Sequence, residues 1–251
     1  MPIVFRPHTV IFLFFAIVLS LTAHAKNSAG QAFAHKSPQP LAKAVHTLSG
    51  NLTRALLKAA PNIDATALEL AVTAMHCATA HGMSASQRLA VIDYSLPSTE
   101  KRLWVFDLKR RKLLYRELVA HGRNSGGNYA SEFSNADGSH KSSLGLFRTL
   151  DTYNGSNGYS LRLDGLEEGF NDNARERAIV MHGAPYVNAK LARQQGRVGR
   201  SWGCPAVRSG IARQMIDTLK GGQFVFSYYP DPHWLAGSQY LHCDADKVAA
   251  R

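Results

Sequence analysis

The hydrophobic period of this chain changes once, near Ser86, and that change limits the fold more than any other feature. Before it, apolar residues recur at helical spacing: Leu52, Leu56 and Ala59, then Leu68, Val72, Met75 and Thr79. The pattern predicts a helical pair over 41–85, broken at Pro61-Asn62, with the second helix over 65–80. Thr66 and Glu69 stand at capping-box spacing, and Gly82 offers a C-terminal stop. After Ser86, short runs rich in Val, Leu, Tyr and Trp alternate with polar turns. Strands are expected at 89–94, 103–108, 113–120, 144–150, 159–163, 178–182 and 223–229, with one helix at 211–220. The body is therefore mainly β with short helices, preceded by an N-terminal helical pair.

The N-terminus bears on the compartment. Residues 1–7 carry Arg6 and no acid, residues 10–21 read VIFLFFAIVLSL, and Ala23-His24-Ala25 follows. A charged start, a short apolar run and a small-residue site describe a secretory signal peptide over 1–25. The run of 12 apolar residues is shorter than the roughly 20 that a spanning helix needs. No second run of spanning length occurs, so no stable membrane span is expected after cleavage. An exported, periplasmic protein is the expectation. The 29 Lys and Arg against 18 Asp and Glu give a net charge of +11, which suits an anionic partner. Export disfavours nucleic acid as that partner. Residues 26–40 read as a flexible leader, 41–85 as the helical segment, 86–230 as the main domain and 231–251 as a C-terminal tail.

The chemistry concentrates between Arg177 and Arg208. A strand-like run ends at His182-Gly183, and Cys204 follows 22 residues later inside Ser201-Trp202-Gly203-Cys204. Glycine lets the backbone turn sharply and approach a substrate. A thiol needs a base to become a nucleophile, and a histidine at a strand end is placed to serve. The backbone N–H groups of Gly203 and Cys204 are candidate oxyanion donors. The polar loop over 121–142, dense in Gly, Ser and Asn, is expected to border the site and to act as a lid.

This stretch resembles the signature of the YkuD-type L,D-transpeptidase, in which His-Gly precedes Ser-x-Gly-Cys. Ser134-Asn135, Ser142 to Gly145, Ser160 to Leu166 and Asn171 to Arg175 resemble the murein L,D-transpeptidase catalytic domain family in particular. The resemblance spans about residues 88–229 and implies a β-sandwich of the L,D-transpeptidase type. It implies Cys204 as nucleophile, His182 as base, the Gly183 carbonyl as the group that orients the imidazole, and Ser201 and Gly203 at pocket and oxyanion positions. Tyr159 is the candidate for the family's tyrosine near the oxyanion. Two positions depart from the pattern: Trp202 stands where His or Arg is usual, and Ala206 where Arg or Asn is usual. Arg208 then becomes the candidate partner for a substrate carboxylate. The implied substrates are peptidoglycan stem peptides, with a stem amine, water or an outer-membrane lipoprotein lysine as acceptor, and no metal or other cofactor is implied.

Blander readings stand beside these. Cys204 can be an inert buried thiol. His121, His140 and His182 match no compact metal-ligand spacing. His121-Gly122 is either pocket-lining or turn-forming. Trp202 either closes over a substrate or packs beneath the nucleophile turn. Arg197 and Arg200 attract carboxylates or only solubilise. Cys77 and Cys243 are free to pair in an oxidising compartment, but spacing does not decide it. A Cys/His endopeptidase or amidase usually has Cys before His, which this order opposes. A non-catalytic murein-binding module remains open because of Trp202.

Overall fold

A computed structural model describes residues 39–243. The expected signal peptide, the leader up to residue 38 and the last eight residues of the tail lie outside the described residues. The first two helices are α1 (Gln39–Ala59) and α2 (Ala65–Ala80). The start of α2 differs from the expected capping box. Asp64, in extended conformation, accepts the Ala67 N–H at 2.9 Å, so the helix begins before Thr66. Asp and Thr both cap well, and the choice rests on which one precedes the first helical turn. Gly82 ends the helix with φ +90°. Leu68, Val72 and Met75 are buried, as their spacing predicts.

Nine strands form one sheet in the order β3-β2-β1-β9-β5-β6-β7-β8-β4. They are β1 (Arg88–Asp93), β2 (Leu103–Asp107), β3 (Lys112–Glu117), β4 (Val119–Ala120), β5 (Gly145–Gly155), β6 (Gly158–Gly165), β7 (Val180–Ala184), β8 (Ala206–Arg208) and β9 (Phe224–Tyr228). Only Leu118 separates β3 from β4, yet these strands hold opposite ends of the order. The sheet must therefore curl until its two edges approach, which nearly closes it. Pairing is antiparallel except for β1 with β9 and β7 with β8.

Every residue of β2 and β9 is buried, as are the last five of β1. These strands are apolar runs rather than alternations because both their faces are covered. Helix α2 packs on β1, β9 and β5, and α4 (Ser209–Leu219) packs on β1, β6, β7 and β8. Two further short helices, α3 (Ala189–Gln195) and α5 (Pro232–Gly237), were not expected from the sequence.

The segment read as a tail is docked as far as residue 243. Trp234 of α5 is 1% exposed and donates its indole N–H to the buried Glu167 carboxylate at 2.9 Å. The same carboxylate accepts the Leu146 N–H of β5 at 2.6 Å. A disulfide joins Cys77 of α2 to Cys243 across 166 residues of sequence. Closing so long a loop restricts the unfolded chain and contributes about 2–4 kcal/mol. Cys243→Ser is expected to lower unfolding stability by that amount in urea titration, with no further loss on adding reductant. An unchanged midpoint would show that the bridge is absent in solution.

Candidate active site

Strand register builds the site. His182 pairs with Ala206 in the parallel β7–β8 ladder, and Cys204 lies two residues before Ala206, just outside that ladder. Cys204 therefore stands at the entry to β8, next to the strand that carries His182. The Val180 N–H lies 3.4 Å from the Cys204 Sγ, so the thiol rests against the edge of β7 where the ladder has ended. Paired residues in a ladder face the same side, and so do alternate residues of one strand. Two rows of the His182 face continue outward. One runs Tyr153, Ser160, His182 and Ala206; the other pairs Arg162 with Val180.

Hydrogen bonds hold the nucleophile turn on all sides. Ser201 donates its N–H to the His121 carbonyl at 3.0 Å, and its own carbonyl accepts the Arg123 N–H at 2.7 Å. The Ser201 hydroxyl donates to the Cys204 carbonyl at 2.7 Å and accepts the Gly203 N–H at 3.1 Å. The Ser142 hydroxyl donates to the Gly203 carbonyl at 3.1 Å. Gly203 has φ +124°, and a Cβ there would stand 2.8 Å from the Lys141 carbonyl oxygen, so this position requires glycine. Because Ser201 takes the Gly203 N–H, that amide is not free as an oxyanion donor. The Cys204 amide remains the candidate.

His182 is 4% exposed, and its Nδ1 lies 3.1 Å from the Gly183 carbonyl. A carbonyl only accepts, so the proton sits on Nδ1 and the lone pair on Nε2. Burial pushes the imidazole below its ordinary pKa, with the Gly183 contact opposing. The Cys204 thiol is pushed up by burial, while the Val180 N–H and the Arg177 charge pull it down. Both environments favour the uncharged forms, thiol and imidazole. No hydrogen bond joins them among the described residues. The thiol points instead to the Ala178 carbonyl at 3.7 Å. Ala178 has φ +52°, a conformation that side-chain-bearing residues rarely adopt, and it stands directly against the nucleophile.

Several residues near the thiol escape sequence reading. The Arg177 guanidinium binds the Ser134 carbonyl at 2.9 Å, the Ser143 hydroxyl at 2.6 Å and the Lys141 carbonyl at 2.7 Å. It stitches the 121–142 loop to the entry of β7. Tyr186 is pushed up to about 12, first by burial and then by the charge Cys204 carries when ionised. Its only sequence signal was its position just past His182-Gly183.

Three expected site residues lie elsewhere or are already engaged. Tyr159 faces the opposite side of the sheet. Its hydroxyl donates to Asp217 of α4 at 2.8 Å, and the Arg213 guanidinium stands 4.3 Å over its ring. Arg208 forms a fork on Glu117, with bonds of 2.9 and 2.6 Å, and is not free for a substrate carboxylate. Trp202 is 68% exposed and does not pack beneath the turn. It stacks on His140 at 5.0 Å, with Arg123 5.8 Å from its ring centre. Arg200 donates to the Arg123 and Gly126 carbonyls at 3.0 and 2.9 Å, holding the loop, and Arg197 donates to the Val198 carbonyl at 3.2 Å.

His121 is turn-supporting. Its Nδ1 accepts from the fully buried Arg102 at 2.7 Å, which leaves the ring proton on Nε2, 3.4 Å from the Gly126 carbonyl. Arg102 also donates to the Leu96 and Val119 carbonyls at 2.7 and 3.1 Å. One candidate metal cluster forms among the described residues, Cys77 with His81 and Cys243, and the disulfide consumes both thiols.

A curled, mainly β domain that holds a cysteine at the entry to one strand against the neighbouring strand that carries a histidine defines the class. Residues 59–228 match the family described as the L,D-transpeptidase catalytic domain, and the chain belongs to that family. Its solved relatives are distant. It is similar to an L,D-transpeptidase from Mycobacterium smegmatis at 13% identity, over 58% of this chain and 60% of that one, with a TM-score of 0.37. It is similar to L,D-transpeptidase 3 from Mycobacterium tuberculosis at 15% identity, over 58% and 62%, with a TM-score of 0.34. A third similar structure, an L,D-transpeptidase from Stackebrandtia nassauensis, has 11% identity over 72% and 77% and a TM-score of 0.34. The chain spans about 60% of the length of the first solved relatives. No curated protein matches it.

His121 yields a pH prediction. Burial first, then the Arg102 charge, lowers its pKa to about 4. The unfolded ring protonates near its ordinary value of 6.5. Between those values the unfolded chain holds the extra proton, so stability falls as the pH drops from about 6.5 to about 4. Urea titrations across this window are expected to show that decline, and His121→Gln should flatten it. An identical slope in the variant would remove His121 as its source.

Proposed function

We propose that this chain is an exported cysteine acyltransferase that acts on peptidoglycan stem peptides and forms 3→3 cross-links. The observation that carries the reading is that strand β7 holds His182 and also supplies the Val180 N–H against the Cys204 thiol, inside a domain of the L,D-transpeptidase family. The Cys77–Cys243 bridge supports export to an oxidising compartment such as the periplasm. The signal peptide over 1–25 and the catalytic domain over 86–230 belong to the same proposal.

In this mechanism Cys204 leaves the Ala178 carbonyl by a side-chain rotation and meets Nε2 of His182. Catalytic contacts are often long in the substrate-free enzyme and tighten on binding. His182 takes the thiol proton, and the sulfur attacks the carbonyl that joins an L-centre to D-Ala. The Cys204 N–H supports the tetrahedral oxyanion. The imidazolium returns its proton to the departing D-Ala amine, leaving a thioester on Cys204. An acceptor amine then attacks, giving up a proton to His182, and the thiolate is released and reprotonated. Gly183 keeps the imidazole in the tautomer this cycle needs. Water as acceptor would make the same enzyme an L,D-carboxypeptidase, and a lipoprotein lysine would make it an anchoring enzyme.

The test incubates disaccharide-tetrapeptide with the mature protein, Cys204→Ala and His182→Ala. The mature protein should release D-Ala and form a dimeric product, while both variants fall by at least about a thousandfold. A bare tripeptide alone would reassign the acceptor to water. No D-Ala release from folded protein would overturn the reading in favour of a binding module.

A further inference from the structure

A cavity of about 260 Å³ adjoins the candidate nucleophile and takes no part in the mechanism above. Tyr153, Arg162, Arg175, Ala178 and Val180 are among the residues that line it. Ala178 and Val180 supply the carbonyl and N–H that touch the Cys204 Sγ, so one wall of the cavity is also the wall of the thiol. Arg162 lies on the His182 face by register, opposite Val180, and its guanidinium stands 4.1 Å from the centre of the Tyr153 ring. Arg175 sits in the turn before Ala178 and is exposed.

The charges here are unevenly committed. Arg162 is paired with Asp151. Arg177 spends its donors on the 121–142 loop. The guanidinium of Arg175 makes no hydrogen bond or ion pair among the described residues. The cavity thus has a cationic rim with one unpaired fork, and it shares Ala178 and Val180 with the surroundings of the thiol. Elsewhere near the site, Arg208 is held by Glu117 and Ala206 has no charge to offer. A guanidinium matches a carboxylate through two parallel hydrogen bonds, and an aromatic wall beside it lowers the local dielectric.

We propose that the Tyr153–Arg162–Arg175 cavity is the donor-stem anion subsite, in which Arg175 binds a stem carboxylate next to the bond that Cys204 attacks. This rests on the proposed acyl transfer. Two carboxylates of a donor stem lie close enough to that bond: the terminal one on D-Ala, and the side-chain one on the third residue. Both present the same anionic group to the fork.

The experiment measures D-Ala release from three tetrapeptide donors: unmodified, amidated at the terminus, and amidated at the third-residue side chain. A parallel titration measures binding of each peptide to the Cys204→Ala protein, which needs no turnover. The expected result is that one amidation raises KM about tenfold with little change in kcat, and identifies the bound carboxylate. Arg175→Ala should raise KM for the unmodified peptide similarly and erase the difference between it and that amidated peptide. Arg175→Lys should recover part of the loss. Turnover with KM indifferent to both amidations and to Arg175→Ala would overturn the subsite and leave the acyl transfer standing. Absent turnover would overturn the acyl transfer. The binding titration then decides the subsite alone, and equal affinities for all three peptides would overturn it.

Discussion

The hydrogen bonds around Ser201 are the constraint on which the site depends. Its hydroxyl bridges the Cys204 carbonyl and the Gly203 N–H, while its backbone is clamped by His121 and Arg123. Each such bond contributes only about 1 kcal/mol net, but their number leaves the turn few alternatives. A turn fixed in this way leads into β8, which pairs with β7, and it leaves the Cys204 thiol against the Val180 N–H of the strand that holds His182. Loosening the turn would displace the thiol without touching it. The left-handed Gly203 belongs to the same geometry, because its carbonyl must reach Ser142 as its amide reaches Ser201.

The curl of the sheet supports that clamp from below. With β3 and β4 joined through Leu118 but lying at opposite ends of the strand order, the chain returns to the nucleophile strand just before His121. The buried Arg102 then ties β4 and His121 to the turn after β1. A fully buried guanidinium is costly to desolvate, and here backbone carbonyls and one imidazole lone pair satisfy it. At the middle of the sheet, Glu167 fastens β5 to Trp234, and the disulfide fastens α2 to the chain's last described residue. The reactive face is thus carried by strands that are anchored at both ends. The ends of the 121–142 loop share this anchoring, since His121, Ser125 and Ser142 are buried.

Much of this was legible in the sequence. The helical pair and the mainly β body follow from local pattern, which residue type and spacing carry directly, while His182-Gly183 and Ser201 to Cys204 were picked out through a family resemblance. What escaped depends on partners far away in the chain. Strand β8 is three residues long and becomes a strand only by lying between β7 and β4. Tyr159 and Ser160 differ by one position, and only the β6–β7 register decides which faces His182. Arg208 looked available because Glu117, its partner, lies 91 residues away. Arg177 and Tyr186 carry no motif of their own. Their roles arise from the loop and the thiol that the fold brings to them.

The measurement that tests the central claim most directly is peptide mapping of an acid-quenched reaction with disaccharide-tetrapeptide. The account predicts a single modified residue, Cys204, carrying the donor minus D-Ala as a thioester that hydroxylamine removes. The 77–243 bridge should remain intact in the same digest. An acyl group on any other residue, or D-Ala release with Cys204 never modified during turnover, would contradict it.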